Sequence, residues 1–303
     1  MKISVRLEGG IGDHLLGNRF VPAIKELHPE AKIFAYLDTE GNTFQKEALE
    51  ALYPSLYEDV KVITEKRDKK FKITSQFGEE VYIGALENVP ERWTEEMLDY
   101  DKFYDLHIDS LKFTDYDFDW LRYFYFFPKP ELQPPTSDDD YVILHLQSAT
   151  SQAHRLEDWY CTRLVEEISK FSKCILILTP DQQDFFSWAE GMNNVEMLTG
   201  DIKTIFAKIG GAKALVSTDS GFRYAAYAYG VPVVTFSSDC RQPHQIPPSH
   251  QIRWLMFPNH CYPLNYQCDH ISKSVKNILE NKCASFFPHH EDMDQVLIRR
   301  ART

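Results

Sequence analysis

The chain has 303 residues, 43% apolar and 26% charged, which suits a globular protein long enough for two hydrophobic cores and argues against wholesale disorder. Its formal net charge of −12 argues against a protein that coats nucleic acid, since that affinity comes from neutralising phosphates with Lys and Arg. No apolar run reaches the ~18–20 residues needed to span a bilayer, and the opening residues lack the apolar core of a secretion signal, so a cytoplasmic protein is expected.

Taken in order, Ile3–Leu7 reads as a strand and leads into Gly9-Gly10-Ile11-Gly12-Asp13. Leu15, Leu16, Phe20, Ile24 and Leu27 then fall on one face of a helix punctuated by Pro29. Lys32–Leu37 reads as a second strand, Thr43–Leu52 as a helix and Val60–Thr64 as a third strand. Residues 93–127 interleave Trp93, Tyr100, Phe103, Tyr104 and many further aromatics with Asp. The plain interpretation is core plus an aromatic surface; the sharper one is a wall on which sugars or bases stack. Pro128–Pro135 and the polar residues to Asp140 have the composition of a linker, which puts a first domain at 1–137 and a second at 138–303. The acidity is uneven, with 17 Lys+Arg against 26 Asp+Glu in the first domain and 16 against 19 in the second.

In the second domain Tyr141–Leu146, Cys174–Thr179, Ala214–Ser217 and Val231–Phe236 read as strands. Trp159–Phe171, Asp181–Glu190, Ile202–Ile209, Phe222–Tyr229 and Ile271–Leu279 read as helices. Strands alternating with helices of this length predict βαβ units and parallel sheets, hence an α/β protein of two Rossmann-like domains facing each other across a ligand-binding cleft.

The first glycine turn lies where a dinucleotide fold places its phosphate loop, and Asp38 ends the next strand, where a ribose ligand would stand. The match to G-x-G-x-x-G starts at Gly10 and Gly12 but meets Leu15 where its last glycine should be. Asp13 also puts a carboxylate at the helix start, in the place of the incoming anion. Asp13 therefore reads either as a helix cap or as the functional group itself. In the second role it is a carboxylate kept ionised by the helix end, able to take a proton from a hydroxyl nucleophile.

The second turn is Ala214-Leu-Val-Ser-Thr-Asp-Ser-Gly221, followed by Phe222–Tyr229 and Gly230-Val-Pro-Val-Val234. Ser220 and Gly221 present amides at a helix start without a bulky side chain in a phosphate's way, and Ala225, Ala226 and Ala228 let that helix lie close to its sheet.

This order of motifs resembles the heptosyltransferase-like glycosyltransferases of GT-B architecture. The residues that carry the resemblance are Gly9–Asp13 with Pro29, the strand Val142–His145 with its polar loop and Trp159, Leu198-Thr-Gly200, Asp219-Ser220-Gly221, and Gly230–Val234. The resemblance implies an inverting, metal-independent transferase, with an acceptor-binding first domain, a nucleotide-diphospho-sugar bound by the second, and no cofactor. It implies Asp13 as general base, with Gly10 and Gly12 in the loop beside the acceptor. Ser220 and Gly221 would hold the diphosphate, Asp219 would position the donor, and Gln182 would contact the ribose. Tyr224 stands where the family often has His, and Gln152 where it has a basic residue, so Arg155 and Arg223 become the candidates for countering leaving-group charge. The helix at Ile271–Leu279 is expected to cross back onto the first domain, as in such proteins.

Acceptors left open are a glycan, a protein and, disfavoured by charge, a modified nucleobase in DNA. Two other classes stay in play: an NAD-dependent oxidoreductase or epimerase using the first turn, and a nucleotide-sugar-binding protein without catalysis. His260-Cys261 and Cys268-Asp269-His270 are spaced too widely for a convincing zinc site, and no metal is expected. His289, His290 and the basic end Arg299–Arg302 read as a solvated tail.

Overall fold

Ile3, Val5 and Leu7 alternate along the first strand with Ser4 and Arg6, and all five are buried, the signature of a strand covered on both faces. That strand, β1 (Lys2–Glu8), lies between β2 (Lys32–Asp38) and β6 (Lys102–Asp105), with β3 (Asp59–Val62) outside β2, all parallel. A short antiparallel pair, β4 (Lys72–Thr74) and β5 (Glu80–Tyr82), precedes β6. The computed structural model describes residues 1–39, 43–63, 72–74, 80–82, 100–106, 127–136, 140–147, 156–218, 220–237, 252–256 and 264–280, and the chain divides into two units, Met1–Glu131 and Leu132–Thr303.

The single helix expected after the first turn is two: α1 (Ile11–Asn18) and α2 (Val21–Leu27). Pro22 sits in the first turn of α2, where its missing N–H costs nothing, but it cannot donate back to Asn18, so the hydrogen-bond ladder stops between them. The apolar spacing survives the break, with Leu15, Leu16, Phe20 and Ile24 buried and Leu27 exposed. A third helix, α3 (Phe44–Leu52), buries Ala48, Leu49 and Leu52. Of the aromatic stretch 93–127 the described part includes β6, in which Tyr104 is buried; the remaining stacking-wall candidates before Tyr100 and between 107 and 126 lie outside the described residues.

The proline-rich linker is fastened at both ends. Tyr53 Oη donates to the Pro128 carbonyl, Glu131 N donates to the Leu52 carbonyl, and Ser55 Oγ donates to Glu131 Oε1 within the first unit. Within the second, Tyr229 Oη donates to the Leu132 carbonyl.

The second unit has six parallel strands: β7 (Tyr141–His145), β8 (Lys173–Ile177), β9 (Val195–Leu198), β10 (Ala214–Ser217), β11 (Val233–Ser237) and β12 (Ile252–Met256), in the order β12-β11-β10-β7-β8-β9. Its helices are α4 (Asp158–Ser169), α5 (Ile202–Gly210), α6 (Phe222–Tyr229) and α7 (Leu264–Leu279). Val142, Leu144, Cys174, Leu176, Val216 and Val234 form one core with Leu164 and Val165 of α4 and with Cys268, Ile271 and Val275 of α7. The apolar face of α7, with Ile271 and Val275 from the stretch Ile271–Leu279, belongs to the second unit's own core. The helix expected over Asp181–Glu190 is instead two 3₁₀ turns, Pro180–Gln182 and Ser187–Ala189, with Phe186 and Ala189 as the buried anchors.

In each sheet the chain starts at a central strand, builds outward on one side, then returns to build on the other. The strand order therefore reverses between β1 and β6 in the first unit and between β7 and β10 in the second. The carboxyl ends of such strand pairs are where open α/β sheets bind ligands.

Candidate functional site

At the carboxyl end of β1 the backbone turns sharply. Gly9 has φ +94°, its N–H donates to the Asp38 carbonyl at 3.3 Å, and a Cβ there would fall 2.5 Å from Asp13 Oδ2. Only glycine meets both demands. Gly10 is exposed and Gly12 buried, and the partly buried Asp13 carboxylate accepts from Gly10 N at 2.9 Å. The helix-capping role of Asp13 is therefore present. A carboxylate has about four lone-pair sites, so this bond fixes its orientation without exhausting its acceptor capacity.

Beneath the turn lies a group of charges that sequence reading did not find. Arg6 is fully buried; its Nη1 donates to Asp105 Oδ2 at 2.9 Å, and its Nη2 donates to Asp38 Oδ2 at 2.9 Å and to Glu8 Oε2. Burial alone would weaken the guanidinium's charge, but Asp105, Glu8 and Asp38 hold its pKa above the ordinary value. The cluster ties the ends of β1, β2 and β6 together. It also corrects one expectation: the Asp38 side chain, the proposed ribose ligand of a dinucleotide site, is wholly buried on Arg6.

In the second unit Ser217 Oγ donates to the Thr218 carbonyl at 2.8 Å and lies 3.1 Å from Ser220 Oγ. Gly221 caps α6, and both Ser220 and Gly221 are partly buried. Arg223 and Tyr224 are buried together in the first turn, with Nη2 donating to the phenol oxygen at 2.7 Å and the guanidinium 4.8 Å from the ring centroid. Arg223 is thus no solvated surface charge. Gln182 is buried and its Oε1 accepts from Thr179 N at 3.1 Å, which ties it to the turn after β8. Asp219 and Arg155, with Gln152 and His154, lie outside the described residues, as do His260 and Cys261. Cys268 is a core thiol, and burial pushes its pKa up to about 11. Among the described residues no group of three His, Cys, Asp or Glu could hold a metal ion.

The carboxyl end of β7 brings in a residue not singled out as a ligand, His145. Its ring meets the Phe222 ring edge-on at 4.7 Å, its carbonyl accepts from Thr218 N, and burial lowers its pKa to about 4, so it is uncharged at neutral pH. The sequence signal was a strand, Tyr-Val-Ile-Leu-His, that stays apolar until its last residue.

No protein-family profile matches the sequence, and no curated protein matches it. The fold is that of GT-B glycosyltransferases. A family 9 glycosyltransferase from Veillonella parvula superposes with TM-score 0.59 at 14% identity, covering 92% of this chain and 97% of its own. The ADP-heptose LPS heptosyltransferase II of E. coli gives 0.61 at 12%, covering 93% and 100%. The E. coli heptosyltransferase WaaC, solved with ADP, gives 0.58 at 14%, covering 93% and 99%. No described helix is long and apolar enough to cross a membrane.

Proposed function

We propose that the protein is an inverting glycosyltransferase that moves a sugar from a nucleotide-diphospho-sugar to an acceptor hydroxyl. The first unit takes the acceptor and the second the donor. Asp13 accepts the hydroxyl proton as the acceptor oxygen bonds to the anomeric carbon, and the bond from that carbon to the phosphate oxygen breaks to release nucleoside diphosphate. Metal is not required, because the start of α6 supplies amides and dipole to the departing anion, with Arg223 in its first turn and Arg155 as the second cationic candidate.

The observation that carries this reading is the contrast between the two turns, each of which follows one strand of the pair at which its sheet order reverses. The first has its amide end occupied by the Asp13 carboxylate; the second has Ser220 and Gly221 at that place. An anion is favoured at the second and opposed at the first. The similarity to a heptosyltransferase solved with ADP supports the same assignment. A dinucleotide cofactor at the first turn is disfavoured, since Asp38 is engaged by Arg6.

A thermal-shift panel tests the reading. UDP, ADP or GDP is expected to raise the unfolding midpoint at millimolar concentration, by mass action on the folded state, while NAD(H) leaves it unchanged. A shift with NAD(H) and none with any nucleoside diphosphate would replace a transferase by an oxidoreductase or epimerase.

A further inference from the structure

The face of the second sheet that carries Ile143, Leu215 and Val233, three apolar side chains in register and fully buried, changes character one step toward the carboxyl edge. Side chains repeat on one face every second residue, so the next row is His145, Ser217 and Thr235, again in register and all buried. Three polar groups in a row, continuing an apolar face, invite an explanation, because a buried donor or acceptor left unmade costs about 1–3 kcal/mol. Ser217 is satisfied by Thr218 and Ser220. Among the described residues, the buried His145 Nδ1 and Thr235 Oγ1 meet no hydrogen-bond partner.

Location decides what would satisfy them. His145 ends β7 at the strand pair where the sheet order reverses, and its ring packs on Phe222, the first residue of α6. The neighbouring Ser220–Gly221 end of α6 favours an anion. We propose that His145 is a ligand-binding residue of this site, its Nδ1–H donating to a phosphoryl oxygen of the bound nucleoside diphosphate; this rests on the donor assignment made above. The packing against Phe222 and the low-dielectric surroundings keep the imidazole uncharged, and in its Nδ1–H tautomer it donates, with Thr235 completing the polar floor.

Isothermal titration of the full chain with UDP, ADP and GDP at pH 7.5 tests this. Wild type is expected to bind at least one of them. His145→Leu, which fills the space without a donor, should weaken that binding by about tenfold or more. His145→Asn, whose amide lies near the Nδ1 position, should keep most of it. Binding by His145→Leu equal to wild type, or equal losses in both variants, would overturn the assignment. Wild type binding none of the three would overturn the donor reading, and this one with it. If His145→Leu does not fold, the imidazole ¹⁵N spectrum of wild type decides. A protonated Nδ1 whose resonance moves on nucleotide addition supports the contact, and one that stays in place overturns it.

Discussion

Asp13→Asn is expected to lower sugar transfer by roughly 10²–10⁴-fold, the range over which a positioned general base acts, with nucleotide affinity unchanged. The substitution separates the capping role that the structure shows from the proposed role as base. Asn keeps an oxygen that can accept from Gly10 N, as Asp13 does at 2.9 Å, so the start of α1 stays capped and the fold is preserved. Proton acceptance is what it loses. Asp13→Ala removes both, and its additional cost is about 0.5–2 kcal/mol of stability, the range measured for lost caps. Steady-state rates and urea midpoints for the two variants check this together. Undiminished turnover in Asp13→Asn would leave Asp13 a cap and nothing more.

The second large effect falls on stability. Arg6→Met is expected to cost about 3–5 kcal/mol, because removing one partner of a buried ionic group leaves the others uncompensated. Here the groups that would lose the guanidinium are the carboxylates of Asp38 and Asp105, buried, and of Glu8, nearly so. Lys at this position retains the charge but lacks the planar fork whose two terminal nitrogens bridge separate carboxylates, so Arg6→Lys should fall between the two. Urea unfolding at pH 7 checks the order: wild type, then Lys, then Met. A Met variant as stable as wild type would show that the cluster is not what holds these strand ends.

Much of the fold was legible because the parallel strands of an α/β protein are short apolar runs separated by helical periods. β10 at Ala214–Ser217 and α6 at Phe222–Tyr229 have the limits that the residues predict. Five described strands escaped, the short pair β4 and β5 among them, and for the other three the physical reason is plain. β6 reads Lys-Phe-Tyr-Asp, and its Asp105 is polar because it meets Arg6 inside the protein, a compensation visible only when the strands are side by side. β9 is an edge strand of intermediate burial throughout, and β12 carries Arg253 and Trp254. Arg6 was hidden by the same rule, since a charged residue in a strand reads as a surface position until its three partners, up to 99 residues away, are brought together.

The candidate site divides along similar lines. Asp13, Gly10 and Gly12 could be placed because a glycine turn between strand and helix is a local pattern, and Ser220–Gly221 for the same reason. The two readings of Asp13, cap and base, could not be separated, since the cap bond depends on a side-chain rotamer. His145 needed the register of β7 against β10 and of β10 against β11, which sets it in a polar row with Ser217 and Thr235. No property of the segment Tyr-Val-Ile-Leu-His alone distinguishes a ligand-binding histidine from one that ends a strand.

The most direct test is a crystal structure of the full chain with its tightest nucleoside diphosphate. Phosphate oxygens within hydrogen-bonding distance of the Ser220 and Gly221 amides are the expected result. Phosphates bound instead at Gly9–Asp13 would contradict a donor site in the second unit and a catalytic carboxylate in the first.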